Sequence, residues 1–249
     1  MAPTTDQILE IARKAIKIFG KYGLECCLMG SVASYLYGVD RAPNVCKLPV
    51  IHFAPHVTAS VQDVDLVILS TRYTQEELKQ ILVREDPKFY RLASKNRFAS
   101  YTVLWYSLST RTYAYPNARI DCKVDLLIPG ILNIPSIPPA HVQTLAGLPV
   151  MPLVPQLLLK LQGWSDHRAS HRSDMQAKQY VDIRDVDALL AIALERGAKL
   201  RVDDEDADDW VPESMITAAQ GRLRSYTLFG SRKSADGWKQ LGFVGRYVV

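Results

Sequence analysis

The sequence predicts a mixed α/β (α+β) fold, with a short mixed sheet flanked by helices in the first half and a helical C-terminal half. Three observations carry this. Apolar runs bounded by turn residues at 24–29, 63–70, 98–107 and 119–128 have the length and composition of strands. Beyond residue 140, apolar positions recur at helical spacing over 152–164, 173–196 and 213–229. Between the two textures, Pro129, Gly130, Pro135, Pro138 and Pro139 suit neither element and mark a connector. The chain therefore divides into a core of residues 1–140 and a helical domain of 141–249, expected to cover one side of a cleft.

Each element has its own local warrant. Over residues 5–22, Ile8, Leu9, Ile11, Ala12, Ala15, Ile16, Ile18 and Phe19 line one helix face, with Thr5 or Asp6 as cap and Gly20 and Gly23 as stops. The strand at 24–29 runs into Gly30-Ser31, and a short helix follows to Tyr37. The strand at 63–70 carries Asp63 and Asp65. Thr74-Gln75-Glu76-Glu77 is a capping box that opens a helix to Arg84. Segments 98–107 and 119–128 pair as antiparallel strands around a loop with Tyr115-Pro116-Asn117, and the second delivers Asp125.

The acids carry the chemistry. In Asp63-Val64-Asp65 both carboxylates point to one face of the strand while Val64 points to the other. Carboxylates gathered on one face repel, and a hard divalent cation relieves that repulsion. Mg²⁺ held by one or two carboxylates together with substrate phosphate oxygens is the common arrangement for nucleotide chemistry. Gly30 permits close backbone approach, and the amides that open the following helix, with Ser31, suit a phosphate. The layout is that of a two-metal phosphoryl-transfer site, with Asp63, Asp65 and Asp125 as metal ligands and catalytic acids. Each acid alone has a plainer reading: Asp63 and Asp65 as solvated strand-end residues, Asp125 as a turn cap or a partner of Lys123.

The Gly-Ser, Asp-x-Asp and third Asp elements, in that order, resemble the nucleotidyltransferase superfamily with the DNA polymerase beta-like palm. Lys160 in Leu157-Leu158-Leu159-Lys160-Leu161-Gln162-Gly163-Trp164, then Arg168, then Lys178 and Asp182 in the helical stretch Lys178-Gln179-Tyr180-Val181-Asp182, are similar to the AbiEii toxin-like branch. The resemblance spans roughly residues 10 to 195. It implies a palm fold, Mg²⁺ or Mn²⁺ as cofactor, an NTP as substrate, and nucleotide contacts from Gly30, Ser31, Lys160, Arg168 and Lys178. The implied activity moves a nucleoside monophosphate to a hydroxyl on RNA, protein or a small molecule. A catalytically idle relative that binds nucleotide or a partner is the alternative. His167 and His171 have the spacing of a helical metal pair, but no Glu follows His167, and zinc is not expected.

Composition narrows the classes. With 249 residues, 48% of them hydrophobic, the chain has ample material for a packed core. No apolar run approaches the roughly 20 residues of a membrane span, and the N-terminus lacks the regions of a signal peptide. Cys26, Cys27, Cys46 and Cys122 form no Cys-x-x-Cys pair, which suits reduced thiols and an intracellular, cytoplasmic location. Residues 203–209 hold six of the 26 acids, a solvated loop by composition. The remainder, 30 Lys and Arg against 20 Asp and Glu, suits a polyanionic substrate.

Residues 45–62 interrupt this pattern, because 31 residues separate Ser31 from Asp63 where related sequences have a short loop. Removing them joins Asn44 to Asp63. Valine codons begin GT and a glutamine codon can end AG, so the segment reads as a retained short intron or as a genuine surface insertion, which loops tolerate at little entropic cost.

Overall fold

The protein is seen here as a computed structural model, which describes residues 2–39, 63–94, 98, 100–108, 120–200 and 210–243. The segment 45–62, Cys46, the acidic run at 203–209 and the Tyr115-Pro116-Asn117 loop lie outside the described residues. The chain forms two compact units, Met1–Ala33 with Val61–Met151, and Ser34–Ser60 with Pro152–Val249. Among the described residues no helix is long and apolar enough to cross a membrane.

The first unit is built on a seven-stranded mixed sheet. Its strands are β1 (Cys26–Met29), β2 (Asp63–Ile68), β3 (Phe89–Ala93), β4 (Thr102–Ser107), β5 (Asp121–Leu127), β6 (Gln143–Leu145) and β7 (Leu148–Val150), in spatial order β3-β4-β5-β2-β1-β7-β6. The pairs β2/β5 and β1/β7 are parallel and the others antiparallel. Helices α1 (Thr5–Lys21) and α3 (Gln75–Glu85) cover one face. On that face Tyr106 of β4 stands in register with Cys122 of β5, and its hydroxyl accepts from Lys14 of α1 at 2.8 Å. The fully buried residues Ile8, Ala12, Ala15 and Phe19 of α1 and Leu78 and Leu82 of α3 belong to this core, with Val64, Leu66 and Val124 of the sheet.

Helix ends follow the sequence chemistry with one shift. The Thr74–Glu77 capping box forms as expected, whereas α1 is capped by Thr4 and not by Thr5 or Asp6. Thr4 accepts from the Gln7 amide, and Gln7 reaches back to Thr4 N. Helix α2 (Gly30–Tyr37) follows β1 directly.

Strands β3, β6 and β7 add to the four expected. β6 and β7 have three residues each, too few for an alternation to register. They are joined by Ala146-Gly147, whose φ values of 49° and 72° suit a two-residue turn with both centres left-handed. β4 begins at Thr102 and not at residue 98.

The second unit holds α4 (Leu153–Ala169), α5 (Ser173–Glu195), α6 (Glu213–Phe229) and α7 (Ala235–Leu241). Helices α4 and α5 form an antiparallel hairpin, and the rings of Trp164, Tyr226, Trp238 and Phe243 link α4, α6 and α7 through edge-to-face contacts of 4.9, 6.3 and 5.7 Å between centroids. Tyr226 also donates to Asp187 at 2.9 Å, and Ser231 donates to the same carboxylate at 2.7 Å.

Candidate functional site

The parallel pairing of β2 with β5 sets Asp63 against Lys123, Val64 against Val124 and Asp65 against Asp125. Strand alternation then gives two faces of opposite character. Val64, Leu66, Val124 and Leu126 are buried on the helix-covered side, while Asp63, Asp65, Lys123 and Asp125 share the other. One carboxylate oxygen from each of the three half-buried acids can be chosen so that all lie within 4.8 Å of one another. Strands merely neighbouring in sequence would not do this; β2 and β5 are brought side by side across the intervening β3 and β4.

Three carboxylates this close repel, and among the described residues Lys123 supplies a cation beside them. Lys123, two residues before Asp125 and therefore on the same face, makes an ion pair and hydrogen bond with the Asp125 carboxylate. Burial works against the ammonium, but Asp125 first and then Asp63 and Asp65 favour it more, and the Lys123 pKa lies above its ordinary value. On the opposite face, burial pushes the Cys122 thiol up to about 12, with the Asp63 and Asp65 charges adding to the effect.

Gly30 sits at the start of α2 with φ 65°, a left-handed conformation that L side chains rarely adopt. A Cβ there would lie 2.0 Å from Oδ2 and 2.9 Å from Cγ of Asp65. The register explains the proximity, since Met29, the last residue of β1, pairs with Asp65. Glycine at this position therefore makes room for the Asp65 carboxylate. Beside it, the Ser31 hydroxyl is buried, with the residue 9% exposed, and has no hydrogen-bond partner among the described residues. An orphaned buried hydroxyl is uncommon, and next to the amides that open a helix it suits an oxyanion ligand.

This donor set fits a hard divalent ion. Among the described residues the cluster is made of three carboxylates, and burial pushes the thiols of Cys26 and Cys27 up to about 12, away from the thiolate form.

The three cations expected from the second half occupy different surroundings within their own unit. Lys160 of α4 pairs with Asp185 of α5 at 2.8 Å, and Asp185 is only 2% exposed. Arg168 is exposed, with its guanidinium 4.4 Å from the Phe229 ring centroid and 5.7 Å from that of Trp164. Lys178 is exposed on α5. Asp182 meets His167 Nδ1 at 2.5 Å, a contact that crosses the α4–α5 hairpin. Sequence reasoning found the acids and underweighted Lys123, although the Lys-x-Asp spacing on a strand already places both on one face.

No protein-family model and no curated protein sequence matches this chain. Among solved structures, it is similar to the crystal structure of an antigenic nucleotidyltransferase-like protein from Paracoccidioides brasiliensis. The identity is 14% and the TM-score 0.54, with 92% of this chain and 94% of that chain covered. The likeness is one of fold: a mixed α/β unit with a helical C-terminal half.

Proposed function

We propose that this chain is a divalent-metal-dependent nucleotidyltransferase that moves a nucleoside monophosphate from an NTP to a hydroxyl of RNA, protein or a small molecule. The observation that carries the reading is the β2/β5 register, which gathers the oxygens of Asp63, Asp65 and Asp125 within 4.8 Å on one sheet face beside the Gly30-Ser31 turn. The nucleotidyltransferase-like fold agrees with it. Asp63, Asp65 and Asp125 would hold Mg²⁺ or Mn²⁺, which supplies Lewis-acid polarisation of the phosphate and stabilises the charges that develop. The acceptor hydroxyl gives up its proton to solvent as its oxygen bonds to the α-phosphorus, the bond to the bridging oxygen breaks, and pyrophosphate leaves. Ser31 and the amides opening α2 suit the triphosphate.

In this reading the core of 1–140 carries the chemistry, and Lys160, Arg168 and Lys178 of the helical domain contact nucleotide or a polyanionic acceptor. Placement by the AbiEii toxin-like branch rests on that same Lys, Arg and Lys-x-x-x-Asp pattern. A second reading, an idle relative that binds nucleotide or a partner, draws on the Lys123–Asp125 pair, which neutralises one carboxylate without a metal.

Incubation with each radiolabelled NTP, Mg²⁺ or Mn²⁺, and total RNA or lysate separates the two. Label transfer by the parent, lost in Asp65→Asn with its melting temperature retained, is the expected result. NTP binding of undiminished affinity in chelator, with no transfer to any acceptor class, would replace the enzyme with the binder.

A further inference from the structure

We infer that the acceptor at this site is the end of a single-stranded RNA, and that Trp105 is the ring on which its terminal base stacks. This rests on the nucleotidyltransferase reading above and names its acceptor.

The acid-bearing face of the sheet does not end at the acids. Register places Tyr90 of β3, Trp105 of β4, Lys123 of β5 and Asp63 of β2 in one row across four strands. Strand alternation puts that row on the side away from α1 and α3. Phe89, Leu104 and Tyr106, the sequence neighbours of the two aromatic residues, are 1% exposed on the helix-covered side, whereas Tyr90 and Trp105 are half-buried. Past Lys123, the face therefore continues as an aromatic surface.

The direction of that surface identifies what it meets. β1 and β5 flank β2 on opposite sides, and the Gly30-Ser31 turn that suits the triphosphate follows β1, while Trp105 and Tyr90 lie beyond β5. In phosphoryl transfer the attacking and leaving oxygens stand roughly in line on opposite sides of the phosphorus. With pyrophosphate leaving on the β1 side, the acceptor hydroxyl arrives from the β5 side, over Lys123 and Trp105. Trp105 is two strand spacings from Asp63, about 10 Å between backbones, a gap that the ribose and base of one terminal nucleotide can bridge. An indole accepts any base, because every base presents a π face. A serine or threonine hydroxyl of a protein brings no ring at that distance from its oxygen. Outside residues 203–209 the chain carries 30 Lys and Arg against 20 Asp and Glu, an excess that complements a phosphate backbone.

The test is binding of an oligoadenylate RNA, labelled with fluorescein at its 5′ end, to the full chain in Mg²⁺ without NTP. Anisotropy would be read for the parent, Trp105→Ala, Trp105→Leu, Trp105→Phe and Asp65→Asn, with calorimetry for each NTP and a melting curve on every variant. Trp105→Ala and Trp105→Leu should bind the RNA roughly 5- to 100-fold more weakly than the parent, the range of one lost base stack. Trp105→Phe, which keeps a ring, should recover most of that loss, and NTP affinity should be unchanged in all three. Trp105→Leu, which fills more of the space, carries the comparison if Trp105→Ala does not stay folded. No RNA binding by the parent, or equal RNA affinity in a folded variant without a ring, overturns the inference. A loss confined to NTP affinity also overturns it, by assigning the ring to the nucleotide. In each of these cases, NTP binding by the parent that is impaired in Asp65→Asn leaves the nucleotidyltransferase reading standing. No NTP binding by the parent overturns that reading and the inference with it.

Discussion

Placing a methyl group on Gly30 is the sharpest perturbation the site offers. In Gly30→Ala the new carbon would start 2.0 Å from Asp65 Oδ2, well inside the roughly 3.4 Å of an ordinary contact, so the carboxylate must swing aside by more than an ångström. Holding alanine at φ 65° costs about 1–2 kcal/mol, and pushing Asp65 off its preferred rotamer about 0.5–1.5 kcal/mol more. Reduced freedom of the unfolded chain offsets about 0.4–1 kcal/mol. The net loss is about 2 kcal/mol, or roughly 4–8 °C in melting temperature for a chain of this size. Because the group that moves is a proposed metal ligand, Mn²⁺ affinity should fall by about 10- to 100-fold in protein that remains folded. Thermal melting and Mn²⁺ titration on the same preparation read both quantities. A folded Gly30→Ala protein with the parent's melting temperature and metal affinity would refute the argument that this glycine makes room for Asp65.

Ser31→Ala should leave the melting temperature unchanged or raise it by the equivalent of about 1 kcal/mol, since it removes a buried hydroxyl without a described partner, yet weaken NTP binding about 2- to 10-fold by calorimetry; a stability loss with unaltered binding would instead assign the hydroxyl to packing. Lys160→Met deprives the buried Asp185 of its ammonium and should cost about 3–5 kcal/mol in urea unfolding, with Lys160→Met/Asp185→Leu recovering much of it. A cost below about 0.5 kcal/mol would mean that Lys160 behaves as a surface lysine. The thiols of Cys26, Cys27 and Cys122 sit at about 12, above the ordinary 9.0, so the unfolded chain releases protons that the fold retains. Stability should therefore fall as pH rises from about 9 towards 12, by about 1.4 kcal/mol per pH unit for each thiol. The decline should be shallower in Cys26→Ala/Cys27→Ala; equal slopes in urea titrations would show that the thiols do not contribute.

The acids were legible because their information is local. Asp63-Val64-Asp65 and Lys123-Val124-Asp125 each encode a face through the two-residue strand repeat, and hydrophobic neighbours identify the strands. What could not be read was which strand lies beside which: β2 and β5 are joined through a long excursion that includes β3 and β4, and their register is a property of the assembled sheet. For the same reason the closeness of Gly30 to the Asp65 carboxylate, which comes from another strand, could not be read from the local pattern. The His167–Asp182 and Lys160–Asp185 contacts also cross between helices, so spacing within one helix could not show them. β6 and β7 escaped because three residues hold too little pattern. The capping box at Thr74 was found because its whole signal lies within four residues.

Trp105 turns the lysine's neighbourhood into an optical window. The chain has four tryptophans, and Trp164, Trp210 and Trp238 all fall in the second unit, leaving Trp105 alone in the sheet unit and in register with Lys123. Emission from a protein that keeps only Trp105 would report on the acid-bearing face, where a paramagnetic ion quenches a nearby indole and a diamagnetic one does not. Emission from Trp164 and Trp238, enclosed in the ring contacts of the helical unit, would follow the melting of that unit. One cuvette could thus distinguish an ion arriving at the sheet from a helix bundle coming apart.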